Sequence, residues 1–168
     1  MKHTEGTSPD RFADQLEFLR EQREKLARRA DGRDTSPDAG PTLPTGWGEV
    51  ILLVEDDAAA RVASADALRS LGYRVLVAEC AEQAWELWVR HGDEIALVLT
   101  DLVLPGVGGA HLCSALARQG RAPVIARSGY PIDAEDSRLA GVAHRLQKPV
   151  GIERLAQVIH RTLAAARR

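Results

Sequence analysis

Ile51-Leu52-Leu53-Val54-Glu55-Asp56-Asp57 reads as a buried strand with an acidic lip at its end. Four apolar residues stopped by a turn signal suit a strand covered on both faces. The three acids cannot be core, because burying unpaired carboxylates is too costly. They must face water, a cation or a basic side chain.

Working outward from this strand, apolar runs and helix-like stretches alternate. Asp57 can cap a helix whose stripe is Val62, Ala65, Leu68 and Leu71, stopped by Gly72. Tyr73 to Ala78 reads as a second strand. A helix follows Cys80, with Ala84, Leu87, Trp88 and His91 on one face. Ile95 to Thr100 is a third strand, ending at Asp101. Pro105-Gly106-Val107-Gly108-Gly109 is a tight turn into a helix over Ala110 to about Arg118. Pro123 to Arg127 is a fourth strand, followed by the loop Ser128-Gly129-Tyr130-Pro131. Ile132 to about Ala140 is a weak helix, Val142 to Gln147 a fifth strand, and Gly151 to Arg167 the last helix, with Leu155, Val158, Ile159 and Leu163 inward.

Five βα units in sequence predict an α/β fold: a doubly wound parallel sheet with helices on both faces. Chemistry in such sheets lies beyond the carboxyl ends of the strands. Glu55, Asp56 and Asp57, Asp101, Ser128 and Lys148 all stand there.

The chain has 168 residues, of which 45% are hydrophobic, enough for a globular core. A net charge of -2 gives no argument for nucleic acid or an acidic membrane surface. The N-terminus lacks the apolar core of a signal peptide, and no apolar run is long enough to span a bilayer. Cys80 and Cys113 share no metal-like spacing, so we expect reduced thiols in a cytoplasmic protein. The histidines are scattered, and the glycines at 106, 108 and 109 lack the spacing of a phosphate-binding loop.

Ahead of the sheet, Ser8-Pro9 reads as a helix start, and residues 1–30 as a helical extension. Phe12, Leu16, Leu19, Arg23 and Leu26 follow a heptad spacing, which suits a homodimer or partner helix, docking on its own domain, or a mostly solvated helix. Residues 31–46 are a Gly/Pro/Asp/Thr/Ser linker. The third segment is 47–168, and Trp47 is expected to cover the start of its first strand.

If strands one and three are neighbours, Glu55, Asp56 and Asp101 converge. Two like charges about 4 Å apart cost on the order of 4 kcal/mol at an effective dielectric of about 20. Three carboxylates would then stay partly protonated or hold a cation, and neutralising Asp101 should stabilise the metal-free chain. Only oxygens are on offer, so a hard ion such as Mg2+ fits best. A carboxylate beside Mg2+ and the Lys148 ammonium suits phosphoryl transfer, with the carboxylate as nucleophile.

Leu53-Val54-Glu55-Asp56-Asp57, Leu99-Thr100-Asp101-Leu102-Val103-Leu104-Pro105-Gly106, Pro123-Val124-Ile125 with Ser128-Gly129-Tyr130, and Lys148-Pro149 resemble a response-regulator receiver domain. The likeness runs from Glu49 to about Leu163 and is greatest to receivers associated with hybrid histidine kinases. It implies a flavodoxin-like (βα)5 sheet in the order 2-1-3-4-5. It implies Asp101 as phosphoacceptor, Ser128 as switch hydroxyl, and Lys148 as partner of Asp101 or its phosphate. It further implies Mg2+ held by Glu55, Asp56, Asp101 and the Val103 carbonyl, with no organic cofactor. The phosphate would come from a histidine kinase or histidine phosphotransfer protein. Such a domain catalyses its own phosphorylation but turns over no external substrate, so it is not an enzyme in the usual sense.

Two departures stand out. Arg145 occupies the position, three before the lysine, where receivers usually carry an aromatic switch residue; it could stay outside and meet a partner's acids. No output domain is expected after the last helix, so output would run by relay, partner binding or the N-terminal helix. Two other readings compete. One is a degenerate receiver serving as a phosphorylation-independent scaffold. The other is a metal-dependent nuclease or topoisomerase-like fold, but that chemistry wants an acid where Val103 stands.

Overall fold

A computed structural model of the chain describes residues 43–106, 108–132 and 136–167. The expected N-terminal helix over residues 1–30 lies outside the described residues, as does most of the linker expected over 31–46.

Five parallel strands form one sheet in the order β2-β1-β3-β4-β5: β1 Val50–Val54, β2 Arg74–Ala78, β3 Ile95–Asp101, β4 Val124–Ser128 and β5 His144–Gln147. Helices α1 Ala58–Ser70, α2 Ala81–His91, α3 Gly109–Gln119 and α4 Ile152–Ala166 cover both faces. Alternation along the strands divides the core. Ile51, Leu53, Leu97, Leu99, Ile125 and Leu146 pack with α1 and α4. Leu52, Val54, Val98 and Ala126 pack with α2 and α3. This is the doubly wound sheet and strand order expected from the sequence.

Local chemistry sets the helix ends. Asp57 Oδ1 accepts the Ala60 N–H at 2.7 Å and caps α1. After α1, Gly72 takes φ +90°, and the Tyr73 N–H returns to the Leu68 carbonyl at 3.2 Å. Helix α3 starts where only glycine fits. A Cβ on Gly109 would stand 1.9 Å from the Asp101 carbonyl oxygen and 2.8 Å from backbone atoms of Leu102.

Several local expectations are corrected. Among the described residues, the helix expected over Ile132 to Ala140 is only a single 3-10 turn, Ser137–Leu139. Asp136 accepts the Arg138 N–H at 3.0 Å, a local bond that draws the backbone into a turn. β5 starts at His144 rather than Val142. Val62 is 61% exposed, and the inward face of α1 carries Ser64, Ala65, Ala67 and Leu68 instead. Trp47 does not cover β1; its side chain is exposed, and its backbone N–H donates to Glu49 Oε2.

Both cysteines are free. Cys113 is buried in the α3 face of the core, and burial pushes its thiol up to about 12. Cys80 is half-buried. Reaction with a thiol reagent at pH 8 is therefore expected to modify Cys80 in the native protein and Cys113 only after unfolding. Two equally fast thiols in the native state would contradict this packing. No helix among the described residues is long and apolar enough to cross a membrane.

Candidate functional site

The register of the sheet builds the site. Asp101, the last residue of β3, pairs with Arg127 of β4, while Val54 at the end of β1 pairs with Thr100. Glu55 follows β1 and Lys148 follows β5. Cross-links hold the strand tips level. The Glu55 N–H donates to the Ala78 carbonyl at 3.1 Å, the Leu102 N–H to Arg127 at 2.8 Å, and the Lys148 N–H to Ser128 at 2.7 Å. The Thr100 hydroxyl donates to the Asp101 carbonyl at 3.1 Å. The Lys148–Pro149 peptide is cis.

Side-chain parity then sorts the groups. Residues 55, 101, 127 and 148 continue the rows of Leu53, Leu99, Ile125 and Leu146, which face α1 and α4. They meet as a ring of charges. Lys148 Nζ donates to Asp101 Oδ2 and, at 2.9 Å, to Glu55 Oε2. Arg127 Nε donates to Asp101 Oδ1 at 3.0 Å, and its Nη2 to Glu55 Oε2 at 3.1 Å. Asp101 is thus held by a cation on each carboxylate oxygen.

The ring is largely out of water. The Glu55 and Asp101 side chains are 2% and 7% exposed, Arg127 6% and Lys148 31%. Burial is the main reason the Glu55 carboxyl sits above its ordinary range. The neighbouring Asp101 adds to that rise, and Lys148 works against it.

Asp56 stands outside the ring and is exposed, yet carboxylate oxygens of Glu55, Asp56 and Asp101 lie within 4.8 Å of one another. This all-oxygen set suits a hard divalent cation such as Mg2+. Val103, on the loop after β3, is exposed.

Ser128 sits at the same sheet edge but in the other row. It is buried, and its Oγ accepts the Tyr130 N–H at 3.0 Å, so the hydroxyl caps its own loop. Arg145 is half-buried, and its Nη2 donates to the Leu139 carbonyl at 3.1 Å. It ties β5 to the 3-10 turn rather than standing clear of the domain.

Two working residues were missed in the sequence. Arg127 was read as strand only, although period-two alternation puts it on the same face as Asp101. Arg61, in the second turn of α1, donates from Nη1 to the carbonyls of Glu55 at 2.8 Å and Asp56 at 3.0 Å, fixing the acidic loop. Of the options expected for these acids (water, a cation or a basic side chain), the basic side chain is met by two of them: Arg127 and Lys148 pair with Glu55 and Asp101, and the Arg127 guanidinium is buried.

Residues 51–160 match the family model described as the response regulator receiver domain. Sensor kinase CckA of Brucella abortus is 34% identical over 116 residues, covering 67% of this chain and 12% of that protein. Virulence sensor protein BvgS of Bordetella pertussis is 29% identical over 126 residues, covering 69% of this chain and 10% of that protein. The chain therefore spans about a tenth of the length of these relatives. Among solved structures, the receiver domain from hybrid histidine kinase CckA is similar with a TM-score of 0.58 and 36% identity, covering 68% of this chain and 98% of that one.

Proposed function

The chain belongs to the response regulator receiver domain family, and on that premise we propose that it accepts a phosphoryl group on Asp101 from a phosphohistidine partner. The observation that carries the reading is Asp101 itself: a buried carboxylate at a strand tip, at the centre of converging acids and cations. An Asp101 oxygen attacks phosphorus, the P–N bond to the partner's histidine breaks, and the electron pair leaves with the ring nitrogen. Lys148 offsets charge on the transferring oxygens. The Ser128 hydroxyl, which already accepts from Tyr130, keeps its own proton to donate to a phosphoryl oxygen. Glu55, Asp56, Asp101 and the Val103 carbonyl are the groups that would hold Mg2+, which when bound supplies further positive charge to the phosphoryl oxygens.

The partner is a histidine kinase or a histidine phosphotransfer protein. The relatives that are sensor kinases favour a receiver of the kind attached to, or served by, a hybrid kinase. Signal then leaves by onward transfer or by partner binding.

A second reading, a receiver used as a scaffold without phosphorylation, is favoured by one observation: both oxygens of Asp101 already bind cations, and one of those cations is buried. Phosphotransfer from radiolabelled kinases of the same cell separates the two. The phosphoaccepting reading expects rapid, Mg2+-dependent label transfer from at least one of them. A protein that binds such a kinase and takes no label supports the scaffold.

A further inference from the structure

Arg127 is the least expected member of the site. Its guanidinium is almost fully buried and is always charged. Its three nitrogens bond groups on three different elements: Nε to Asp101 on β3, Nη2 to Glu55 after β1, and Nη1 to Ser64 Oγ on α1 at 3.3 Å. A planar fork satisfied at each prong has a fixed position and keeps its charge against both buried acids.

We propose that Arg127 is a positioning residue for the phosphoacceptor: a resident counter-cation that holds Asp101 and Glu55 in place without a metal and thereby weakens the site's grip on Mg2+. The inference rests on the reading above that these acids take Mg2+. A divalent ion approaching Asp101 or Glu55 meets a fixed positive charge already in contact with the same carboxylates. Repulsion from a buried unit charge a few ångström away weakens cation binding by about tenfold or more. Asp56, exposed and outside the ring, is the acid left open to the incoming ion. Binding of Mg2+ is therefore linked to loosening of the Arg127 contacts to Asp101 and Glu55.

The test titrates Mg2+ alone, without a phosphodonor, into the wild type, Arg127→Met and Arg127→Lys, by calorimetry and by melting with and without the ion. Arg127→Met is expected to bind Mg2+ at least about tenfold more tightly. Its melting temperature should fall without metal and recover with it, while that of the wild type scarcely moves. Arg127→Lys keeps the charge and should keep the weak wild-type affinity.

An arginine that only fills space would leave Mg2+ affinity the same in all three proteins, and that result overturns the proposal while leaving the metal reading intact. Failure of every variant and of the wild type to bind Mg2+ overturns both. Where Arg127→Met does not fold, the wild type still decides. The Arg127 Nε–Hε resonance should shift with the same saturation constant as Mg2+ binding, and a resonance unmoved at saturating Mg2+ overturns the link.

Discussion

Gly109→Ala should lower the melting temperature by roughly 10 °C and weaken phosphoryl uptake together. The new Cβ would stand 1.9 Å from the Asp101 carbonyl oxygen, and backbone atoms of Leu102 at 2.8 Å close off the alternative. Neither contact is the end of a flexible side chain, so α3 or the tip of β3 must move. Overpacking against rigid backbone costs about 3 kcal/mol, which for a domain of this size corresponds to roughly 10 °C. The same displacement carries Asp101 away from Arg127 and Lys148. Gly129→Ala is the control. Gly129 has nothing within 4 Å of an added Cβ and no positive φ, so the change should cost about 0.5 kcal/mol or less. Equal melting temperatures for the two variants, measured by circular dichroism, would contradict the close approach at Gly109.

Asp101→Asn should abolish phosphoryl uptake from acetyl phosphate and also destabilise the metal-free domain. The first effect follows from loss of the nucleophile. The second reverses the expectation drawn from acid crowding. In the structure Asp101 accepts from Arg127 and Lys148, and removing one partner of a buried pair costs about 3 kcal/mol. Lys148 is partly exposed and can turn toward water, so most of the loss falls on Arg127, whose Nε side has no such outlet. A rise in melting temperature for Asp101→Asn without Mg2+ would show that repulsion among the carboxylates outweighs their pairing.

That reversal marks where the sequence was legible and where it was not. The doubly wound parallel sheet could be read because apolar runs, glycine stops and βα alternation leave few topologies; its strand order followed from the resemblance to receivers, and the acids after β1 and β3 had to share one edge. Glu55, Asp101 and Lys148 do meet there. Arg127 is hidden by its place: it ends the expected β4, and only residues just beyond the strands stand out as site candidates. Alternation through Ile125 nonetheless puts it in the row that runs toward Asp101. The helix expected over Ile132 to Ala140 failed for a different reason. Ile132 and Leu139 alone do not make an apolar stripe, and the Asp136 side chain bonds its own backbone instead. Val62 was placed inward by spacing alone; Ser64, polar and so passed over, takes an inward place and meets Arg127.

The most direct test is to locate the phosphate. After incubation with Mg2+ and acetyl phosphate, borohydride reduces an aspartyl phosphate to homoserine, which peptide mass spectrometry can place in the chain. The account predicts homoserine at position 101 and nowhere else. Stable label at another residue, or no conversion under conditions that modify a known receiver in the same tube, would contradict it.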